Sequence, residues 1–358
     1  MSSYPYQCKC QDHPQGNCQA LAIYPPNMTD RDRHATITKD ELMARLSSVG
    51  AYKTGVAAVR PVPDDVMNHY NEWLKRGCHA GMTYLENHLE IRRNPELLLP
   101  GAKSIICCAF NYYTPPSDSG TPEKPVGNQL KWACYALGDD YHEAIRERLS
   151  KVTSWLTETC GHECRICVDT APIFERYWAV QAGLGFIGLN RQLIIPGAGS
   201  RFFLAEILTT LPLEADSPCT LSCGSCHRCL NHCPGHALNT QTSKLEIQNS
   251  KLCLDARKCL SYLTIEHRGD LPDGVKLGSH IYGCDECQDI CPHNCNSPAT
   301  TITEFTPRPE ILKLTTAVIL AMDRHTFSTL FCHSAIKRTK LAGLLRNATY
   351  ITQLTHIN

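Results

Sequence analysis

The sequence predicts an α+β fold: a mixed α/β domain, then a small module built on cysteines, then a short helical C-terminal segment. Three observations predict it. Apolar strand-like runs alternate with amphipathic helical stretches over residues 37–215, the pattern of a sheet covered by helices. Two dense cysteine runs lie between Cys223 and Cys291, inside a module spanning about 216–297. From Thr301 onward, seven Lys or Arg face three acidic residues in a mostly helical pattern, giving a basic segment over 298–358.

Taken in order, Thr38-Lys-Asp-Glu41 is a capping-box pattern that opens a helix ending near Gly50. Residues 51–60 read as a strand, and Pro63-Asp-Asp65 opens a helix running to Gly77. A polar, turn-rich connection carries Arg92 and Pro95, and Ser104 to Phe110 is a short apolar run read as a buried strand. Asp139-Asp140 opens the clearest helix, with Tyr141, Ile145, Leu149, Val152 and Leu156 on one face and Gly161 as its stop. Cys164 to Val168 is a strand, and Asp169-Thr-Ala-Pro172 caps the next helix. Leu193 to Ile195 and part of Arg201 to Leu213 complete the apolar segments.

The first cysteine run is Cys223-x2-Cys226-x2-Cys229-x3-Cys233-Pro234, and the second is Cys284-x2-Cys287-x3-Cys291-Pro292. The first has the spacing of a bacterial two-cluster ferredoxin, whose fourth Cys ligates the other cluster. Three thiolates two residues apart line a tight loop around one cubane face, and the fourth starts a helix leading toward a second cubane. Cys223, Cys226 and Cys229 therefore need a remote ligand, a part that Cys291 fits. Cys233, Cys284 and Cys287 also lack one, and either Cys253 or Cys259 completes that set on spacing alone. Zinc and disulfides are the competing readings, but zinc modules rarely add a third Cys at this spacing with Pro after a fourth. Two 4Fe–4S clusters store and relay electrons, so the chemistry they feed must sit elsewhere in the chain.

With 358 residues the chain is long enough for two or three domains and for a core that houses a cofactor. No apolar h-region follows Met1, no twin-Arg pair opens the chain, and no apolar run reaches the length of a membrane span. The expectation is a cytoplasmic protein without membrane contact, where 22 Cys read as metal sites rather than disulfides. The zero net charge leaves nucleic acid open. Residues 1–36, Pro-, Gln- and Asn-rich with Cys8, Cys10 and Cys18, read as a disordered extension.

Outside the clusters, Asp169 stands where a strand meets a helix. On the bare sequence an N-cap is its favoured role, and Asp140 likewise reads as a helix opener beside His142. Gly183-x-Gly185-x-x-Gly188 matches a dinucleotide fingerprint, but it follows a helix rather than a strand and so fails that motif's context. These glycines read instead as sites of close backbone approach.

Several segments together carry a resemblance. Tyr135-Ala-Leu-Gly-Asp-Asp-Tyr-His142, Val168-Asp-Thr-Ala-Pro-Ile-Phe-Glu-Arg176, Ala182 to Gly188, Gly199 to Glu206, Ala256 to Thr264 and Ile281 to Cys287 resemble, in order, the sequence elements of epoxyqueuosine reductases. The resemblance covers roughly residues 38–350. It implies a corrinoid-dependent iron–sulfur oxidoreductase of tRNA processing that reduces epoxyqueuosine at the wobble position of a tRNA, completing queuosine biosynthesis. It implies Cys259 over Cys253, so that the ligand sets are Cys223, Cys226, Cys229 and Cys291, and Cys233, Cys259, Cys284 and Cys287. It makes Asp169 the expected proton donor in place of a cap. Arg92, Cys134, Asp169, Leu193, Leu204, Ser261 and Asp285 become the expected cobalamin contacts, with cob(II)alamin as the resting form, in a mixed α/β cobalamin-binding domain.

The mechanism this implies passes electrons singly from a low-potential donor, through the clusters, to low-valent cobalt that opens the epoxide. The leaving oxygen needs a positioned acid, and burial is expected to raise the pKa of Asp169 so that it keeps its proton. The partners implied are the epoxyqueuosine-bearing tRNA and that donor, with the chain a monomer. Leu189 stands where the family commonly has Lys, with Arg191 as a substitute, and the Cys233–Cys259 link is long, which reads as a surface insertion. Lys337, Arg338, Lys340 and Arg346 are then expected to meet the tRNA backbone. A reductive dehalogenase-like enzyme acting on a small molecule and a plain two-cluster electron carrier are the rival readings. The Tyr-His and Val-Asp elements speak against the first, and the long α/β domain against the second.

Overall fold

The computed structural model describes residues 37–115, 130–238 and 254–355. The expected N-terminal extension, Cys253 and most of the expected insertion lie outside the described residues.

Helix α1 (Lys39–Ser48) is capped by Thr38, whose hydroxyl accepts from the Glu41 N–H at 3.2 Å, worth about 1 kcal/mol. Strand β1 (Lys53–Ala58) follows, then α2 (Asp64–Lys75), the short α3 (Leu89–Arg93) and β2 (Ser104–Asn111). Every residue of β2 is buried, as its unbroken apolar run requires of a central strand. After β3 (Lys131–Trp132) comes α4 (Tyr141–Cys160), which buries Ile145, Leu149, Val152 and Leu156 and ends at Gly161 with φ 70°. Next are β4 (Cys164–Cys167), α5 (Glu175–Gln181), β5 (Phe186–Ile187), β6 (Leu193–Ile194) and β7 (Phe202–Thr209).

The main sheet has the order β1-β2-β7-β4, and each of its pairings is antiparallel. Helices α1 and α4 pack a core of Leu42, Leu46, Ile145, Leu149 and Leu156 on one face. Helix α5 packs Trp178 and Ala179, with Met67 of α2, on the other. The glycines after α5 do what close approach demands. A Cβ on Gly185 would meet the Ile194 carbonyl oxygen at 2.1 Å, and Gly183 takes φ +73°. The β5–β6 hairpin they permit confirms that no dinucleotide loop forms.

The remaining elements are α6 (Arg228–His232), α7 (Leu260–Ile265), β8 (His280–Tyr282), α8 (Glu286–Asp289), α9 (Pro309–Leu312), α10 (Thr316–Leu320), α11 (Arg324–Leu330) and α12 (Lys340–Thr355). Cys233 does not start a helix, as its place in the run suggested. It ends α6, because the following Pro234 removes the N–H a further turn needs. The C-terminal helices share one core with α7 and β8, in which Phe331, Ile336, Leu344 and Ala348 pack with Leu260, Ile281 and Tyr282. The buried Asn347 amide donates to the Thr264 and Ile281 carbonyls, 2.9 Å each. β3 pairs in parallel with β8 and so fastens the cysteine module to the first domain. No helix among the described residues is long and apolar enough to cross a membrane.

Candidate active site

A cavity of about 260 Å³ opens between β7, the start of α4, the loop before α5 and the cysteine module. Its lining is apolar with a few convergent polar groups, the make-up of a ligand or cofactor site. Leu193, Leu204, Phe202 and Phe203 give it apolar walls, and Ser261 and Asp285 face them.

Asp169 lines this cavity, and it caps no helix. Helix α5 begins only at Glu175, with Phe174 in the capping position and no side-chain cap. Asp169 instead adopts φ 53°, a left-handed conformation of the kind a non-glycine residue holds only where its surroundings enforce it. Its N–H donates to Glu175 Oε1 at 2.6 Å. Its Oδ2 accepts from the Tyr141 hydroxyl at 3.0 Å and faces His142 Nε2 at 3.1 Å. The Asp169 side chain is 57 % exposed, an exposure that faces the cavity it lines. Tyr141 is fixed by stacking on Phe203 at 4.2 Å and 6°.

His142 Nδ1 bonds Asp140 Oδ1 at 2.8 Å, while that same oxygen accepts the His142 N–H at 2.9 Å and caps α4. The imidazole thus lies between two carboxylates. Burial alone would lower its pKa, but the hydrogen bonds and charges of Asp140 and Asp169 raise it to about 9. For Asp169, burial works upward, yet the His142 bond and charge, the Tyr141 hydroxyl and Arg176 together hold its pKa below the ordinary carboxylate value. The expected upward shift is therefore corrected: Asp169 is the ionised member of the pair, and the proton rests on His142. Glu175 is pushed up to about 7, first by burial and then by Asp169.

Of the other expected contacts, Leu193, Leu204, Ser261 and Asp285 line the cavity. Cys134 stands one bond behind, with its N–H and thiol both donating to Asp285 Oδ2 at 2.7 and 2.9 Å. Arg92 is buried away from the cavity lining, its guanidinium 5.9 Å from the Tyr70 and Phe174 rings. The basic C-terminal residues divide. Arg346 turns inward to the carbonyls of Leu263, His267 and Gly269 at 2.7–2.9 Å, and Arg338 pairs with Glu266. Arg346 is thus committed to the fold, while Arg338, 55 % exposed even when paired, stays at the surface with Lys337 and Lys340.

The cysteines gather in two places. Cys229 is pushed up to about 11, first by burial and then by charge on Cys223, Cys291 and Cys226. Burial and then Cys284, Cys259 and Cys233 raise Cys287. Backbone N–H groups point at these thiols: Leu189 to Cys223 at 3.4 Å, and Ala237 to Cys233 at 3.3 Å. Such N–H···S bonds stabilise a thiolate and tune a cluster held by it. Cys233, Cys259, Cys284 and Cys287 all line the cavity, and none of the first group does.

Glu206 had no assigned role in the sequence. It is fully buried, and neither carboxylate oxygen has a partner among the described residues. Burial, then Glu175 and Asp169, lift its pKa well above the ordinary value, so it sits in the sheet as a neutral acid. An acidic residue inside an apolar strand, Phe202 to Thr209, is the one trace of it in the sequence.

An acid-bearing cavity bordered by a paired cysteine module is the layout of a cluster-fed reductase. A family model described as Epoxyqueuosine reductase QueG, DUF1730 matches residues 92–170, and one described as 4Fe-4S double cluster binding domain matches residues 222–294. An epoxyqueuosine reductase of Cyclobacterium marinum is 36% identical over 328 residues, 90% of this chain and 98% of that one. A solved epoxyqueuosine reductase with an epoxyqueuosine-modified tRNA stem loop superposes with TM-score 0.78 at 31% identity, covering 87% of this chain and 80% of that one. The Streptococcus thermophilus epoxyqueuosine reductase gives 0.76 at 27% identity, covering 89% and 81%. The chain belongs to the epoxyqueuosine reductase family.

Proposed function

We propose that this protein is an oxidoreductase of tRNA processing that reduces epoxyqueuosine to queuosine at the wobble position of tRNA. The observation that carries it is the convergence of Asp169 and the four thiols of the second cysteine group on one cavity, in a chain of this family. Cys223, Cys226, Cys229 and Cys291 hold one 4Fe–4S cluster, and Cys233, Cys259, Cys284 and Cys287 the other. The cavity would hold a cobalamin, with Leu193, Leu204, Ser261 and Asp285 against it and Cys134 positioning Asp285. Cobalamin, when bound, supplies low-valent cobalt for opening a strained carbon–oxygen bond.

The chain's residues handle the protons. Epoxide to alkene consumes two electrons and two protons and releases water. The leaving alkoxide is strongly basic and departs only when protonated. The His142–Asp169 pair holds that proton at neutral pH, with Asp169 lining the cavity and His142, bonded to its Oδ2, as the reservoir. The Glu175 bond to the Asp169 N–H holds the strained loop in place. A low-potential donor supplies the electrons, and the protein acts as a monomer in the cytoplasm.

Metal analysis after anaerobic purification and loading with cobalamin tests the cofactors, with about eight iron and one cobalt per chain expected. Conversion of epoxyqueuosine to queuosine in a tRNA stem loop tests the activity. Iron without cobalt and no conversion would point to an electron carrier, and zinc in place of iron would end the cluster reading.

A further inference from the structure

The second cysteine group borders the cavity, whereas the first lies on its far side. Cys223, Cys226, Cys229 and Cys291 line a separate small pocket, the space that their own cluster would fill. Leu189, Arg228 and His293 also line that pocket, and no carboxylate does. From Ser217 to Leu238 the chain contains no Asp or Glu, and the carboxylate that reaches this stretch, Glu286, is held by His232 at 3.0 Å. Two apolar side chains are exposed nearby. Leu221, two residues before Cys223, is 57 % exposed, and Ile187 is 38 % exposed on the turn whose Leu189 N–H reaches Cys223.

Resting on the function proposed above, we propose that this face docks a small acidic protein carrying a one-electron cofactor, which passes its electrons to the first cluster. Exposed Leu221 and Ile187 beside the cationic Arg228 suit a brief encounter with a negatively charged partner: charge steers the approach, and a small contact lets it leave. A small soluble reductant needs no exposed leucine. Polyanionic tRNA is the lesser fit, because its modified base must reach Asp169, beyond the second cysteine group. In each encounter the carrier is oxidised by one electron and the cluster reduced by one. Two encounters supply the two electrons of one epoxide reduction, with its two protons coming from the cavity side and solvent.

The test is anaerobic stopped-flow reduction of the loaded protein by reduced plant-type ferredoxin, read from cluster absorbance rather than turnover. The wild-type rate should fall steeply with salt. Arg228→Glu should slow it roughly 10-fold or more at low salt and flatten the salt dependence. Leu221→Asp, which leaves Arg228 in place, should slow it similarly. Both variants should keep their iron content and be fully reduced by excess dithionite at high salt, where charge steering is screened, at the wild-type rate. Ferredoxin-driven reduction that is insensitive to salt, or unchanged in both variants, would overturn the proposal. So would weakened tRNA stem-loop binding by Arg228→Glu with ferredoxin transfer intact, which would assign the face to tRNA. Absence of epoxyqueuosine turnover with dithionite in the wild type would instead defeat the proposed function, because the docking readout does not depend on turnover.

Discussion

Asp140→Asn isolates the proton-holding role of His142. The lift of His142 from its ordinary value to about 9 corresponds to about 3 kcal/mol in favour of imidazolium. Two carboxylates at similar range share it, 2.8 and 3.1 Å away. Removing one charge should cost about half, lowering the His142 pKa to about 8. The substitution is mild elsewhere, since Asn caps a helix as well as Asp and its oxygen can still accept from the His142 N–H. The assay is the pH dependence of single-turnover epoxyqueuosine reduction. In the wild type the rate should fall above about pH 9; in the variant the fall should begin about one pH unit lower. At pH 9 the variant should then run at about a fifth of the wild-type rate, while at pH 7 the two should nearly coincide. The sign follows from linkage: a raised folded-state pKa gives stability that is full below the ordinary imidazole value and lost as pH rises through about 9. Unfolding by urea should show that loss shrink in the variant. An alkaline limb that does not move, with iron and cobalt unchanged, would refute His142 as the proton store.

Other expectations are direct. Asp169→Asn should lower turnover at least about 100-fold with iron content and visible spectrum unchanged; retained turnover would remove Asp169 from the acid role. Cys259→Ser should lower bound iron where Cys253→Ser keeps about eight, measured by iron analysis, and the reverse result would exchange the two ligands. Arg346→Met should destabilise by about 2 kcal/mol in urea unfolding, since it strips charged donors from three carbonyls; weakened tRNA binding at full stability would return it to the substrate surface. Glu206→Gln should be more stable than wild type at pH 8 and closer to it at pH 4, because only the unfolded Glu206 loses its proton as pH rises past the ordinary carboxylate value. Equal stability at both pH values would show that the buried acid is paired after all.

Much of the site was legible because its signals are local. Thiolates two residues apart can face one cluster whatever surrounds them, so the two cysteine runs announced a paired iron–sulfur module before any fold was known. The helix signals at Thr38, Asp140 and Gly161 depend on one turn of backbone, and all three are met. Asp169 shows where local reading stops. As a sequence it resembles a cap; in the fold the next helix begins six residues later, and the side chain points into a cavity instead. Its partner His142 is 27 residues away in sequence, and no periodicity links them. The pKa order of that pair, histidine protonated and aspartate ionised, arises from Asp140, Tyr141 and Arg176 brought to the same few ångströms.

What the sequence determined by itself was the inventory: the cysteine spacing, the helix ends, the buried central strand, and the family elements in order. What only the tertiary structure decided was direction and company. It made the sheet antiparallel, turned Arg346 inward onto carbonyls, buried Glu206 without a partner among the described residues, and set one cysteine group against the cavity and the other around a separate pocket. The reason is physical. Spacing and capping are set by bonds along the chain, whereas pKa values, cavities and routes for electrons are set by through-space distances that exist only once distant segments have packed.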